Sequence, residues 1–291
     1  MSTPAKAGDI VFTRHGARRG FAWLVEAYAM FKQARARWVL LLFLYYVIMV
    51  LLTRIPMAGQ ILLPLLKPVF AVGLLAAAWT QERGGRPALS HLFEGFRANL
   101  RALIPLGLVF VAGIVAAVFL TSLFDGGVFF DLVSSGQGPA PAAEGTAADK
   151  ATVDTRSVEA LIASGRLQTS MLILLLLALP TILALWFAPA LVVFQDAGPA
   201  AALGASLRAA LANWRPLLVY ALAVLAFGAL LPLIIAKVAL TLMPSQATVD
   251  VVRILLLAYG LMFAATLHIS DYVSYRDIFH AGETLAPLGA K

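Results

Sequence analysis

Six apolar runs limit what this chain can fold into. They cover residues 38–55, 58–80, 102–124, 170–194, 216–243 and 254–270. A helix of about 20 residues crosses a hydrocarbon core of about 30 Å, and these runs have that length or come close to it. Composition agrees: 61% of the 291 residues are hydrophobic and 13% are charged, against about 45–50% and about 25% in soluble domains. The expected fold is all-α, a polytopic membrane helical bundle of six transmembrane helices. Pro64, Pro68, Pro105, Pro180, Pro189 and Pro232 fall inside runs. Neighbouring helices can satisfy the carbonyls that such prolines free, so kinks rather than breaks are expected.

Charge sets the orientation. With the N-terminus inside, the inner segments carry fifteen Lys/Arg and the outer ones six, while Lys67 falls within a span. The positive-inside rule then places both termini of this multi-pass chain in the cytoplasm. Residues 1–37 hold seven Lys/Arg before the first apolar run, and no signal-peptide cleavage pattern follows it. The net charge of +7 lies mostly beside apolar runs. Its expected partners are the lipid bilayer and anionic head groups, and nucleic acid is not expected. A membrane-protein partner or a second copy of the chain stays open.

The expected organisation is a mobile cytoplasmic segment 1–19, a single membrane domain 20–279 and a cytoplasmic tail 280–291. Within the domain, 125–169 reads as a flexible periplasmic loop. Its tract "GQGPAPAAEGTAADKATVDT" is too poor in apolar residues to order itself. Ser157–Gly165 within it reads as one short helix ending at a glycine.

Three amphipathic interfacial helices are expected to precede alternate spans. Their apolar stripes are Phe21, Leu24, Tyr28 and Phe31; Leu89, Leu92, Phe93, Phe96 and Leu100; and Leu203, Leu207, Ala210, Leu211 and Trp214. Each would lie along the inner membrane surface with its stripe toward lipid. A shift of 114 residues aligns Gln81-Glu82 with Gln195-Asp196, Ala88-Leu89 with Ala202-Leu203, and Ala98-Asn99-Leu100-Arg101 with Ala212-Asn213-Trp214-Arg215. Ala36-Arg37-Trp38 is a fainter echo. The chain therefore reads as a three-unit internal repeat, each unit a short helix and two spans. Arg37, Trp38, Asn99, Arg101, Asn213, Trp214 and Arg215 are the expected interfacial anchors. Indoles and cations favour that depth, and a short amide can bond backbone groups at the bend.

Candidate chemistry is sparse. The chain has no cysteine. It also lacks His-Glu-x-x-His, Gly-x-Ser-x-Gly and Gly-x-x-x-x-Gly-Lys-Ser/Thr patterns. No catalytic residue, cofactor or metal is expected. A polar site in the membrane is the remaining candidate. Lys67 would be a buried anion or proton site if it faces the bundle, and a snorkelling cation otherwise. His268 and Asp271, three apart near the inner end of the last span, could relay a proton or form an interfacial polar cap. Gly73-x-x-x-Ala77, Gly113-x-x-x-Ala117 and Gly260-x-x-x-Ala264 permit close helix approach.

The stretch "WFAPALVVFQDAGPAAALGASLRAALANWRPLLVY" (Trp186–Tyr220) resembles a family of six-span proteobacterial inner-membrane proteins. The likeness rests on Trp186, Ala188-Pro189-Ala190-Leu191-Val192, Asp196, Ala202-Leu203 and Asn213-Trp214. "ARRGFAWLVEAYAMF" and Leu92–Arg97 extend it to the first half. More loosely, the chain is similar to the membrane domain of some glycerophosphodiester phosphodiesterases, without their catalytic domain. The resemblance implies topology and no specific chemistry. The expected function is a non-enzymatic scaffold or accessory factor in membrane or envelope processes. The alternative is a small transporter or channel component with its polar site around Lys67.

Overall fold

The computed structural model describes residues 10–55, 58–127, 130 and 165–280. Expectations for residues 1–9, for most of the loop including the helix at Ser157–Gly165, and for 281–291 lie outside the described residues. What is described is helical: α1 (Arg19–Gln33), α2 (Arg35–Thr53), α3 (Ala58–Glu82), a 3-10 turn (Leu89–Phe93), α4 (Glu94–Arg97) and α5 (Leu100–Asp125). After the loop come α6 (Arg166–Trp186), α7 (Ala188–Phe194), α8 (Pro199–Ala212) and α9 (Trp214–Leu225). A π-helical stretch (Ala226–Leu230), α10 (Leu231–Leu242) and α11 (Gln246–Phe279) complete the chain.

Among the described residues six helical stretches are long and apolar enough to cross a membrane: Arg35–Thr53, Leu62–Glu82, Leu100–Asp125, Leu167–Phe194, Trp214–Leu242 and Gln246–Phe279. The last differs most from its apolar run at 254–270. It continues to Phe279 because Tyr272, Val273, Tyr275 and Ile278 are fully buried there. Their side chains pack inward although the segment also carries charges.

The described residues fall into two compact units, one within Met1–Leu108 and Leu183–Lys291, the other within Val109–Ile182. In the smaller unit, Gly113 lies so close to Thr181 that a β-carbon would sit 2.4 Å from the threonine side chain. Ala117, one turn on, is buried. The small-residue reading holds there and at Gly73, which abuts the His91 and Leu92 carbonyls. Gly260, by contrast, has nothing within 4 Å of its β-position.

In the larger unit each short helix passes into a span through one or two residues: Ala34, Ala98–Asn99 and Asn213. Each also packs on a longer partner. The 3-10 turn and α4 lie on α3, α8 lies on α7, and α1 lies on α11 and α9. Apolar burial does little to join helices already in lipid, so close packing must do so. Gly20 of α1 meets the Pro216 carbonyl, and Gly95 of α4 meets the Val69 carbonyl. A β-carbon at either position would fall 1.9 Å from that oxygen.

These contacts correct the expected stripes. In α1, Leu24 and Phe31 are buried against protein while Phe21, Val25 and Tyr28 are exposed. In the second segment Leu92 faces in, and Leu89, Phe93 and Phe96 face out. That segment is also a 3-10 turn plus one α turn rather than one helix, the glycine at 95 being pressed against α3. In α8 the buried face is Ala202, Ala205, Ser206, Ala209 and Ala210, and Leu211 is exposed. Each short segment is therefore apolar on two sides, one toward the protein and one away from it.

Two helix interruptions have local causes. Pro189 follows the break between α6 and α7. There the Ser206 hydroxyl donates to the Leu183 carbonyl at 2.8 Å and accepts from the Phe187 N–H at 3.0 Å. In an unbroken helix that carbonyl and that N–H would bond each other. Pro232 follows the π-helical stretch and has no N–H to give to residue 228. The neighbouring Phe227 carbonyl accepts from the Tyr259 hydroxyl.

The candidate functional site: a polar seam joining the chain ends

The richest polar cluster lies where the start of the chain meets its end. Residues 10–16 are not a free tail. Ile10 is buried, and Phe12 packs edge-on against Phe279. The Thr13 N–H donates to the Ile278 carbonyl at 2.7 Å. Asn213 fixes the same strap from the other side. Its Oδ1 accepts from the His15 N–H at 2.8 Å, and its Nδ2 donates to the Thr13 and Ala209 carbonyls, each at 3.0 Å. One fully buried amide thus bonds the elbow and clasps an extended segment some two hundred positions away.

Below the strap the charges interlock. Arg19 donates through Nε and Nη2 to the two oxygens of Asp277, and through Nη1 to Glu26. Asp277 also accepts from the Trp23 indole at 2.8 Å, and the His15 ring approaches it at 3.6 Å. Arg276 reaches Glu26 at 3.1 Å and also pairs with Glu82. Tyr272 donates its hydroxyl to Glu82. The hydrogen bonds to Asp277, more than any other influence, hold the Arg19 guanidinium charged even more firmly than usual. Alongside, His280 meets the Tyr275 hydroxyl at 2.9 Å and the Gln195 amide at 3.3 Å.

This cluster was only partly foreseeable. Ser274-Tyr275-Arg276-Asp277 reads as a polar phrase leaving the last span, yet it lies among α1, α3 and α7. The available signal is helical spacing: Ile269, Tyr272, Val273 and Phe279 form an apolar face that continues past the apolar run.

The expected anchors divide. Trp214 and Arg215 are exposed, and the Arg215 guanidinium stacks on the Trp214 ring at 5.4 Å. Asn99 is exposed and accepts from the Ala102 N–H at 3.3 Å, as an N-terminal cap of α5 does. Arg101 is exposed, and Arg37 reaches the Pro87 carbonyl at 3.4 Å. Trp38 differs from expectation: it is fully buried and donates its indole N–H to Gln81 at 2.6 Å. Gln81 donates in turn to the Met30 carbonyl, so this tryptophan ties α2, α3 and α1 together. Asn213 is likewise interior.

Of the candidate membrane polar residues, Lys67 is exposed on α3. His268 and Asp271 do meet, Nδ1 to Oδ2 at 3.6 Å, and the His268 ring stands edge-on to Tyr45 at 6.0 Å. Among the described residues no three His, Asp or Glu side chains are grouped to hold a metal ion. The seam therefore offers paired charges and hydrogen bonds between helices.

No family model matches the sequence, and no solved structure matches it. A Burkholderia thailandensis protein named a probable inner membrane protein is 27% identical over 279 residues, covering 93% of this chain and 94% of that one. The chain is a polytopic helical membrane protein, distantly similar along nearly its whole length to that Burkholderia protein.

Proposed function

We propose that the chain is a multi-pass inner-membrane protein with both termini in the cytoplasm, and that it acts as a non-enzymatic scaffold or accessory factor. The observation that carries this reading is how its charged cluster is used. Arg19, Glu26, Glu82, Arg276 and Asp277 are engaged with one another and hold α1, α3 and α11 together. The name of the Burkholderia relative supports the location. The Lys/Arg asymmetry supports the orientation.

The outward apolar residues Phe21, Tyr28, Phe93, Phe96, Leu211 and Trp214, with Arg97, Arg208 and Arg215 nearby in sequence, suit contact with lipid and anionic head groups. The packing order supports a three-unit repeat. The second and third short segments each lie on the helix that immediately precedes them, and α1 lies on the last helix, which would close the set. The transporter reading relied on a bundle-facing Lys67, and its exposure on α3 weighs against it.

The test is flux. Purified full-length protein in liposomes is assayed against a panel of ions and metabolites, with Lys67→Ala beside it. The scaffold reading expects no protein-dependent flux. Transport that is lost in Lys67→Ala would replace it with the transporter reading.

A further inference from the structure

We infer that Arg14 and Arg18, at the start of the chain, and Arg215, at the third elbow, form one binding site for the phosphate of an anionic phospholipid, and that the bound phosphate locks the strap in place. The strap brings these cations together. Asn213 accepts from the His15 N–H and donates to the Thr13 carbonyl, so the Arg14 backbone between them is held against the elbow. Gly20, two residues past Arg18, abuts the carbonyl of Pro216, the residue after Arg215. Backbone dimensions then keep the Cα atoms of Arg14 and Arg18 within about 14 Å of that of Arg215. Two extended arginine side chains cover that span with a phosphate between them.

The protein does not neutralise this charge itself. Arg14, Arg18 and Arg215 are exposed, and among the described residues none of them meets a carboxylate. The nearby carboxylates of the seam are engaged elsewhere, Asp277 with Arg19 and Glu26 with Arg19 and Arg276. Three guanidiniums at one junction make a field that draws in an anion. Their planar forks match phosphate oxygens two at a time.

Depth selects a lipid as the source of the phosphate, given the membrane reading on which this inference rests. The Arg215 guanidinium stacks on the Trp214 ring at 5.4 Å, and Trp214 is exposed at the head of the stretch Trp214–Leu242. Indoles favour the layer where head groups meet hydrocarbon, so Arg215 and the strap beside it stand at phosphate level. Leu211 and Leu218, one turn to either side of Trp214, are exposed and would lie against the acyl chains. A choline head group carries its own cation beside the phosphate and is the poorer partner for three arginines.

The experiment uses the full chain in nanodiscs of phosphatidylcholine, with or without phosphatidylglycerol, and reads hydrogen exchange of residues 13–15. One arginine near an anionic leaflet shifts an equilibrium about five-fold, so phosphatidylglycerol should slow that exchange about five-fold in the wild type. Arg14→Gln and Arg215→Gln should each largely erase the slowing. Arg101→Gln, which removes an exposed cation at another elbow, should leave it intact. Equal exchange of the wild type in the two discs would overturn the site, even if a variant fails to fold. So would a slowing that survives both Arg14→Gln and Arg215→Gln, or one that Arg101→Gln removes equally. Inorganic phosphate added to phosphatidylcholine discs should not substitute for the lipid; equal protection by it would assign the site to a free anion and overturn the lipid. Wild-type protein that enters neither disc would bring down the membrane reading itself, and this site with it.

Discussion

The Arg19 guanidinium grips the Asp277 carboxylate with two nitrogens, Nε to Oδ2 at 2.6 Å and Nη2 to Oδ1 at 3.0 Å, across 258 positions of chain. A two-point contact of this kind fixes orientation as well as distance. It joins the first helix to the last and closes the larger unit on itself. The Trp23 indole and Glu26, both on α1, reinforce the same junction.

Removing the acid at this junction should be worse than removing the base. Asp277→Ala leaves Arg19 without its main partner and the buried Trp23 indole without an acceptor. The expected cost is about 2–4 kcal/mol. Arg19→Ala leaves Asp277 with the indole and should cost less. Thermal unfolding in detergent reads the order. A double-mutant cycle should return a coupling of about 1 kcal/mol or more. Additive effects would mean that the contact contributes nothing of its own.

Ser206→Ala should destabilise the chain by about 1–3 kcal/mol, because it strands a carbonyl and an N–H in a buried break. Ser206→Gly should do no better. Hydrogen exchange at the Phe187 amide should rise in both. An unchanged exchange rate there would show that the α6–α7 break does not depend on the hydroxyl.

Asn213→Leu should release the strap while leaving the six spans in place. The Thr13 and His15 amides should lose exchange protection, and a protease should cut near His15. Asn213→Asp keeps an acceptor for the His15 N–H but loses the donor to Thr13 and Ala209, so it should fall between the two. Protection of residues 13–15 that survives Asn213→Leu would show that the Thr13–Ile278 bond and the His15–Asp277 contact hold the strap without it.

Much of this architecture is legible in the sequence. Six runs and their flanking cations specify spans and elbows, because both patterns are local. Asn213 and Trp214 stand out in sequence as elbow residues. That one would clasp residues 13–15 while the other stays exposed is set by tertiary packing. Trp38 shows the same limit: an indole beside a cation at the head of a span looks interfacial until Gln81, more than forty residues on, provides its acceptor. Ser206 gives no signal at all, since its role exists only where Pro189 has broken another helix. The acidic partners of Arg19 and Arg276 were invisible for the same reason.

Gly20→Ala and Gly95→Ala probe the close packing of the short helices. Each places a methyl 1.9 Å from a carbonyl oxygen of a span, so backbone must move. The expected cost is about 1–3 kcal/mol each. Gly260→Ala, with open space around it, is the control and should be neutral or slightly stabilising. Equal tolerance at all three positions would contradict the packing of α1 and α4 described above.

The central claim is a six-span chain whose ends share one side of the membrane. The absence of native cysteine allows a direct test. Single cysteines are introduced at Ala5, Thr146 and Ala290, and intact spheroplasts are treated with a membrane-impermeant maleimide. The account predicts that Ala5→Cys and Ala290→Cys label only after permeabilisation, whereas Thr146→Cys labels at once. Labelling of either terminus in intact spheroplasts, or protection of position 146, would contradict it.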